Sequence, residues 1–355
     1  MISCALRKLF RNENRSKVMR LSVVVMYLCC VTLIGSQFKA SAQLLLDSPS
    51  HPWKQATYAS SFGRSMSYPV LANGYLLSYR YPQTTSSRPA APITFKLTSL
   101  RTGTSKQLSL SLPSKNYAIE DAEAEPGGGL EAAGVYLAEG ASQPTPYLAS
   151  IGPDGGGGYL ITLGTFHPDR ICVAPDRTTW VFGHDPVKEN DLPSAHYDMM
   201  LSFSPSGVQT GHYLPRSTFS TDVPITLRKG QAGVTALLDC NAEQAGVYVS
   251  AHGQATWTQI SVATKKATTV PVSITERSRL TGLAFIAPGS VYASMIAGGV
   301  QHLYKLAPLS ISSSKWEQVS TQGNFARLLG KDNTSLVYFN SDADRASPQL
   351  LWSRP

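Results

Sequence analysis

Helical patterning is what this sequence most lacks. Outside one segment near the N-terminus, no long stretch holds a 3.6-residue apolar period, and 28 glycines and 23 prolines interrupt the chain at short intervals. Amphipathic helices need that period over three turns or more, so helical-bundle and α/β folds are excluded. A basic field is also missing, although the net charge of +8 suggests one. Residues 1–42 hold seven Lys or Arg and one acid, which leaves the rest with 24 bases against 22 acids. Phosphate backbones would find no positive face on that remainder, and nucleic acid is not an expected partner. The chain has no CxxC pair and no G-x-S-x-G elbow, so neither a cysteine-based metal site nor an α/β-hydrolase nucleophile is expected. The run GPDGGGG at 152–158 is followed by the strand-like YLITLG. A phosphate loop must open a helix, so this run reads as a hairpin turn.

What is present divides at residue 42. Arg7, Lys8, Arg11, Arg15, Lys17 and Arg20 precede the apolar run LSVVVMYLCCVTLI, and Ala40-Ser41-Ala42 follows. Basic region, apolar core and small-x-small end are the parts of a helical signal segment. The expectation is a signal peptide over 1–42 and one domain over 43–355. The chain is then exported to a periplasmic or extracellular space, with no membrane insertion after cleavage; an uncleaved anchor is the alternative. Only Cys172 and Cys240 remain in the domain, in the apolar contexts RICVAP and LLDCN. They read as buried core thiols, with a disulfide as the alternative, since sequence does not fix their separation.

The domain is built from repeats of a short β-branched or aromatic run, a turn and another short run. LANGYLLSY, LEAAGVYLA, APDRTTWVF, AEQAGVYVS, IAPGSVYAS and KDNTSLVYF align as turn followed by strand, and each is followed by a second strand–turn–strand. The spacing between Tyr248 and Tyr292, and between Tyr292 and Tyr338, falls at the period of about 40–50 residues of a four-stranded blade. This pattern resembles a β-propeller, and ICVAPDRTTWVFG resembles the inner hairpin of the YVTN-like and related bacterial secreted propellers. The resemblance implies an all-β ring of about six four-stranded blades, or seven if residues 216–232 hide strands. An N-terminal strand within Trp53 to Phe62 would close the ring and cover its open edge.

GVYVSAHGQATWTQISV at 246–262 approaches the Asp-box turn of sialidase-type propellers, but His252 stands where the aspartate belongs. Because TTVPVSI follows as a further strand, GVYVS reads as the second strand of its unit and TWTQIS as the third. AEAEPGGG at 122–129 reads as an acidic, mobile connector.

The candidate site is the third unit. TFHPDR supplies His167, Asp169 and Arg170, and FGHDPVKENDLPSAHYD supplies His184, Asp185, Asp191 and His196. Successive antiparallel strands place alternate connections at one end, so both groups should share one rim, with the APDR and SPSG turns at the other. These residues are the expected ligand contacts; a metal site or a solvated polar loop are the alternatives. No convergent nucleophile, base or metal set appears along the chain. The expectation is therefore a non-catalytic monomer that binds a protein, peptide or glycan ligand, without cofactor or metal. The alternative is a propeller enzyme (hydrolase, lyase or lactonase) with a metal- or carboxylate-based site in the central funnel.

Overall fold

The computed structural model describes residues 53–57, 70–79, 93–191, 196–219, 234–251, 254–273, 279–287, 290–297, 300–306, 314–319, 327–332, 335–340 and 349–353. The expected signal segment and residues 220–233 lie outside them.

Glycine-bearing turns cut the chain into strands that run in antiparallel groups. The first group is β2 (Val70–Ala72), β3 (Tyr75–Tyr79), β4 (Ile93–Ser99) and β5 (Ser105–Leu110), preceded by β1 (Trp53–Thr57). The second is β6 (Tyr117–Ala124), β7 (Leu130–Tyr136), β8 (Thr145–Ile151) and β9 (Leu160–Thr162). β10 (His167–Val173), β11 (Thr179–His184), β12 (Asp198–Phe203) and β13 (Gln209–Pro215) form the third. The fourth is β14 (Val234–Cys240), β15 (Gln244–Ala251), β16 (Gln254–Ser261) and β17 (Ala267–Ser273). β18 (Arg279–Ala287), β19 (Ser290–Ala297), β20 (Val300–Leu306) and β21 (Ser314–Gln318) follow, and a short parallel contact between β17 and β21 joins these two groups into one eight-stranded sheet. The last sheet has the order β1-β24-β23-β22, with β22 (Arg327–Asp332), β23 (Ser335–Asn340) and β24 (Gln349–Ser353).

Local chemistry sets the strand reversals. Asn73 and Gly74 both take positive φ, 50° and 77°, which makes the two-residue turn whose twist suits a tight hairpin between β2 and β3. In the APDR turn Arg177 takes the left-handed position at φ 66°. GVYVS lies on β15, the second strand of its group, and TWTQIS on β16, the third. The Asp-box register is thereby excluded.

The groups are arranged in a ring. Their first strands touch in the cycle β2, β6, β10, β14, β18, β22 and back to β2. Apolar clusters fill the spaces between successive groups: Phe95 with Tyr147, Ile171 with Leu148, Trp180 with Val247, Trp257 with Phe285. Trp180 and Trp257 are fully buried there, which accounts for most of their contribution to packing. This is the radial construction of a β-propeller.

Three sequence-based readings change. AEAEPGGG is not a mobile connector: its first half is the end of β6, and Glu125 is 2% exposed. The APDR and SPSG turns do lie across the sheet from the histidine end, but His167 to Arg170 are on β10 itself and His184 ends β11. His184 and Asp185 are buried rather than exposed rim residues, because a bulge between Pro168 and Arg170 folds Asp169 against His184. Finally, Cys172 and Cys240 are joined as a disulfide, with Cα atoms 6.0 Å apart. The ring brings β10 and β14 side by side, which supplies the proximity that a sequence separation of 68 hides.

Candidate active site

The six first strands enclose a cavity of about 250 Å³ on the ring's axis, and every one of them contributes to its lining. Its apolar wall comes from residues such as Leu71, Ile171, Leu237 and Leu283. Against that wall stand Asp121 and Glu123 of β6, Arg170 of β10, Asp239 of β14 and Lys331 of β22. These charges come from four groups and from positions up to 210 residues apart.

Each carboxylate is held from the neighbouring strand. The Ile171 amide donates to Asp121 Oδ2 at 3.1 Å, and the Val173 amide to Glu123 Oε2 at 2.8 Å. Residues 121 and 123 are two apart on one strand, so both face β10. Asp239 accepts from its partner blade in the same way, through the Phe285 amide at 2.5 Å, and from the Cys240 amide at 2.8 Å. Lys331 Nζ completes that anchor, 2.7 Å from each Asp239 oxygen and 2.6 Å from the Cys240 carbonyl oxygen. The Cys172–Cys240 disulfide adjoins this ion pair and ties two walls of the cavity together.

Glu123 differs from its neighbours in what surrounds it. Burial pushes its carboxyl well above the usual carboxylate range. The charges of Asp121 and Asp239 push it further, against the Val173 amide and Lys331. A carboxyl of that kind keeps its proton nearer neutral pH and can then donate or accept it.

Two further carboxylates lie outside the cavity lining, Glu125 just past the end of β6 and Glu131 at the start of β7. Glu125 accepts from Arg177 Nη2 at 2.8 Å and from Ser150 Oγ at 2.5 Å, and Glu131 accepts from the Tyr159 hydroxyl at 2.9 Å. Burial, with the Glu125 charge beside it, raises Glu131 well above the usual range.

The sequence-derived set divides between three places. Arg170 reaches the cavity, donating from Nε to the Ala236 carbonyl at 3.1 Å and from Nη1 to the Asp169 carbonyl at 2.6 Å. His167, Asp169 and His184 meet at the end of the β10–β11 hairpin. Asp185 caps the short helix α1 (Pro186–Glu189), accepting from the amides of Val187 and Lys188 and from Thr165 Oγ1 at 2.7 Å. Asp191 and His196 are exposed and stand apart from the cluster. The cavity acids were missed because a linear scan sees each as one polar residue in one strand. A signal was there nonetheless: in YAIEDAEAE the acids Asp121, Glu123 and Glu125 alternate with small buried alanines, which puts Asp121 and Glu123 on one face of β6, with Glu125 just past its end.

No protein-family model matches the chain, and no characterised protein matches it by sequence. Among solved structures it is similar to the β-propeller domain of the Trilobed protease from Pyrococcus furiosus, which has an open velcro topology. That match has 11% identity and a TM-score of 0.45, over 82% of this chain and 94% of that one. It is also similar to the PQQ-bound aldose sugar dehydrogenase of Streptomyces coelicolor, with 14% identity and a TM-score of 0.44, over 85% and 99% of the two chains. A prolyl endopeptidase matches at 11% identity and a TM-score of 0.42 over 76% of this chain, which spans only 39% of that enzyme. These likenesses are of fold: the neighbours are β-propeller proteins. The YVTN-like hairpin finds no matching family model.

The expectation of a ring that binds without catalysis is corrected here. The absence of convergent groups, on which that expectation rested, does not hold, since three carboxylates and two cations share the axial cavity. Among the described residues, no helix is long and apolar enough to cross a membrane.

Proposed function

We propose that the protein is a propeller enzyme whose carboxylate-based site lies in the central channel, and that it runs hydrolysis or elimination on a small polar substrate. The observation that carries this reading is Glu123, a raised carboxyl facing a cavity that also holds Asp121, Asp239, Arg170 and Lys331. Groups whose environments separate their proton affinities divide acid and base roles between them. Glu123 in its protonated form delivers a proton to a leaving oxygen, and as the carboxylate it takes one from water or carbon. The Asp239–Lys331 pair, fixed by two amides and a carbonyl, supplies immobile charges that orient the substrate. A cavity of about 250 Å³ admits one sugar- or lactone-sized molecule and lies near the lower end of small-molecule sites.

In this reading the six four-strand groups are six blades, and β1 completes the last as a clasp. Residues 1–42 direct export, and the exported domain is a monomer.

The test is turnover by the purified protein on a panel of lactones, aryl esters, aryl glycosides and uronate-containing oligosaccharides. Glu123→Gln is expected to lower kcat by about 10²–10⁴-fold on any substrate turned over, with an unchanged far-UV spectrum. Activity should fall as pH rises if Glu123 acts as the acid, since only its protonated form serves. A Glu123→Gln variant as active as the parent would remove Glu123 from the mechanism. No turnover across the panel would remove the enzyme reading.

A further inference from the structure

The hairpin of β10 and β11 ends in a second cluster that the axial cavity does not explain. His167 and His184 are direct partners in the antiparallel register, and their rings lie 5.3 Å apart. The bulge between Pro168 and Arg170 leaves Asp169 as the extra residue, and such bulges re-aim a side chain. Asp169 Oδ2 consequently lies 2.7 Å from His184 Nδ1, in a pair that is 4% and 7% exposed. His167 Nδ1 is buried and has no hydrogen-bond partner among the described residues. One donor atom from each of the three residues lies within 4.8 Å of the other two.

A buried hydrogen bond between His184 and Asp169 would by itself account for two of the three groups. It leaves His167 with an unsatisfied buried nitrogen, which is costly in a folded interior. A cation satisfies all three at once. We propose that His167, Asp169 and His184 form a binding site for one divalent transition-metal ion of the zinc class. Two imidazole nitrogens and one carboxylate oxygen suit zinc and its borderline neighbours, whereas magnesium and calcium prefer all-oxygen sets. The ion replaces the hydrogen bond between His184 Nδ1 and Asp169 Oδ2, and the Nδ1 hydrogen of the neutral imidazole moves to Nε2 as the metal–nitrogen bond forms. Three protein ligands leave a coordination position for water or an anionic ligand atom. His167, only half-buried, gives the approach. The site is separate from the axial carboxylates, and its failure would leave the reading of Glu123 untouched.

The test uses the full chain stripped with chelator and titrated calorimetrically with zinc chloride. Expected is one saturable site with one ion bound per chain. His167→Gln keeps the Asp169–His184 pair and should weaken zinc binding by about a hundredfold or more. His212→Gln, at the exposed His212–Asp198 pair, should bind zinc as the parent does. If His167→Gln folds poorly, Asp169→Asn provides the same loss with the side-chain shape retained, and cobalt(II) gives an independent reading. Cobalt bound by the cluster should show ligand-field bands distinct from those of the hydrated ion. Absence of a saturable site, unaltered binding by both variants, loss of binding in His212→Gln, or a hydrated-ion cobalt spectrum would each overturn the proposal.

Discussion

At the residue scale, the pattern of buried acids has consequences for stability against pH. Glu131 and Glu123 are both raised by burial, and a group that binds its proton more tightly in the folded state loses stability as that proton leaves. Their contribution is therefore present below the unfolded carboxyl value near 4.5 and is lost as pH rises through the raised folded values. Glu131→Gln removes the ionisable group yet keeps an oxygen for the Tyr159 hydroxyl. The difference in Tm between Glu131→Gln and the parent should thus grow in the variant's favour from pH 5 to pH 8. Thermal melts across that range check it, and a constant difference would show that Glu131 is ionised throughout. This is also the scale at which the sequence misleads most. AEAEPGGG has the composition of a solvated linker, and only the positions of its acids, every second residue on a strand of alanines, distinguish it. His184 and Asp185 mislead in the opposite sense. Their polar context suggests a rim, yet Asp169 and the α1 turn bury them.

At the element scale, much of the fold is legible, since strands of period two bounded by glycine and proline turns announce themselves locally. The second-strand markers Val181 and Tyr248 fall on β11 and β15, and the APDR and SPSG turns fall where strand alternation puts them. What local patterning does not carry is which strands meet across the ring. The disulfide depends on that: β10 and β14 are neighbours only because two whole sheets pack flank to flank around Trp180 and Val247. Closing a loop of 68 residues restricts the unfolded chain, a constraint worth about 4 kcal/mol in the chain-entropy account. The double variant Cys172→Ala/Cys240→Ala should therefore unfold at lower denaturant, with a slope equal to or steeper than the parent's because its unfolded chain is less compact. Denaturation of the parent with and without reductant should show the same displacement. Coincident curves for oxidised and reduced protein would mean that the pair is not closed in solution.

At the scale of the whole molecule, the site exists only because the ring closes. Asp121, Asp239 and Lys331 belong to first strands of different groups, and no subset of sheets brings them together. Closure in turn depends on one short segment. The sheet that contains Lys331 is assembled from both ends of the chain, with β1 paired to β24 over Trp53–Thr57 and Gln349–Ser353. Without β1, the apolar strand QLLWS would present an unpaired edge, which invites association with other chains. A protein beginning at residue 58 should therefore melt lower than one beginning at residue 43. The loss should exceed about 5 °C, at roughly 2–4 °C per kcal/mol for a domain of this size. The shorter protein should also elute partly as oligomers, and its Glu123-dependent turnover should fall with the fraction of closed rings. Equal melting temperatures and equal monomer content for the two would show that β24 needs no partner and that the ring is held by its inter-sheet cores alone.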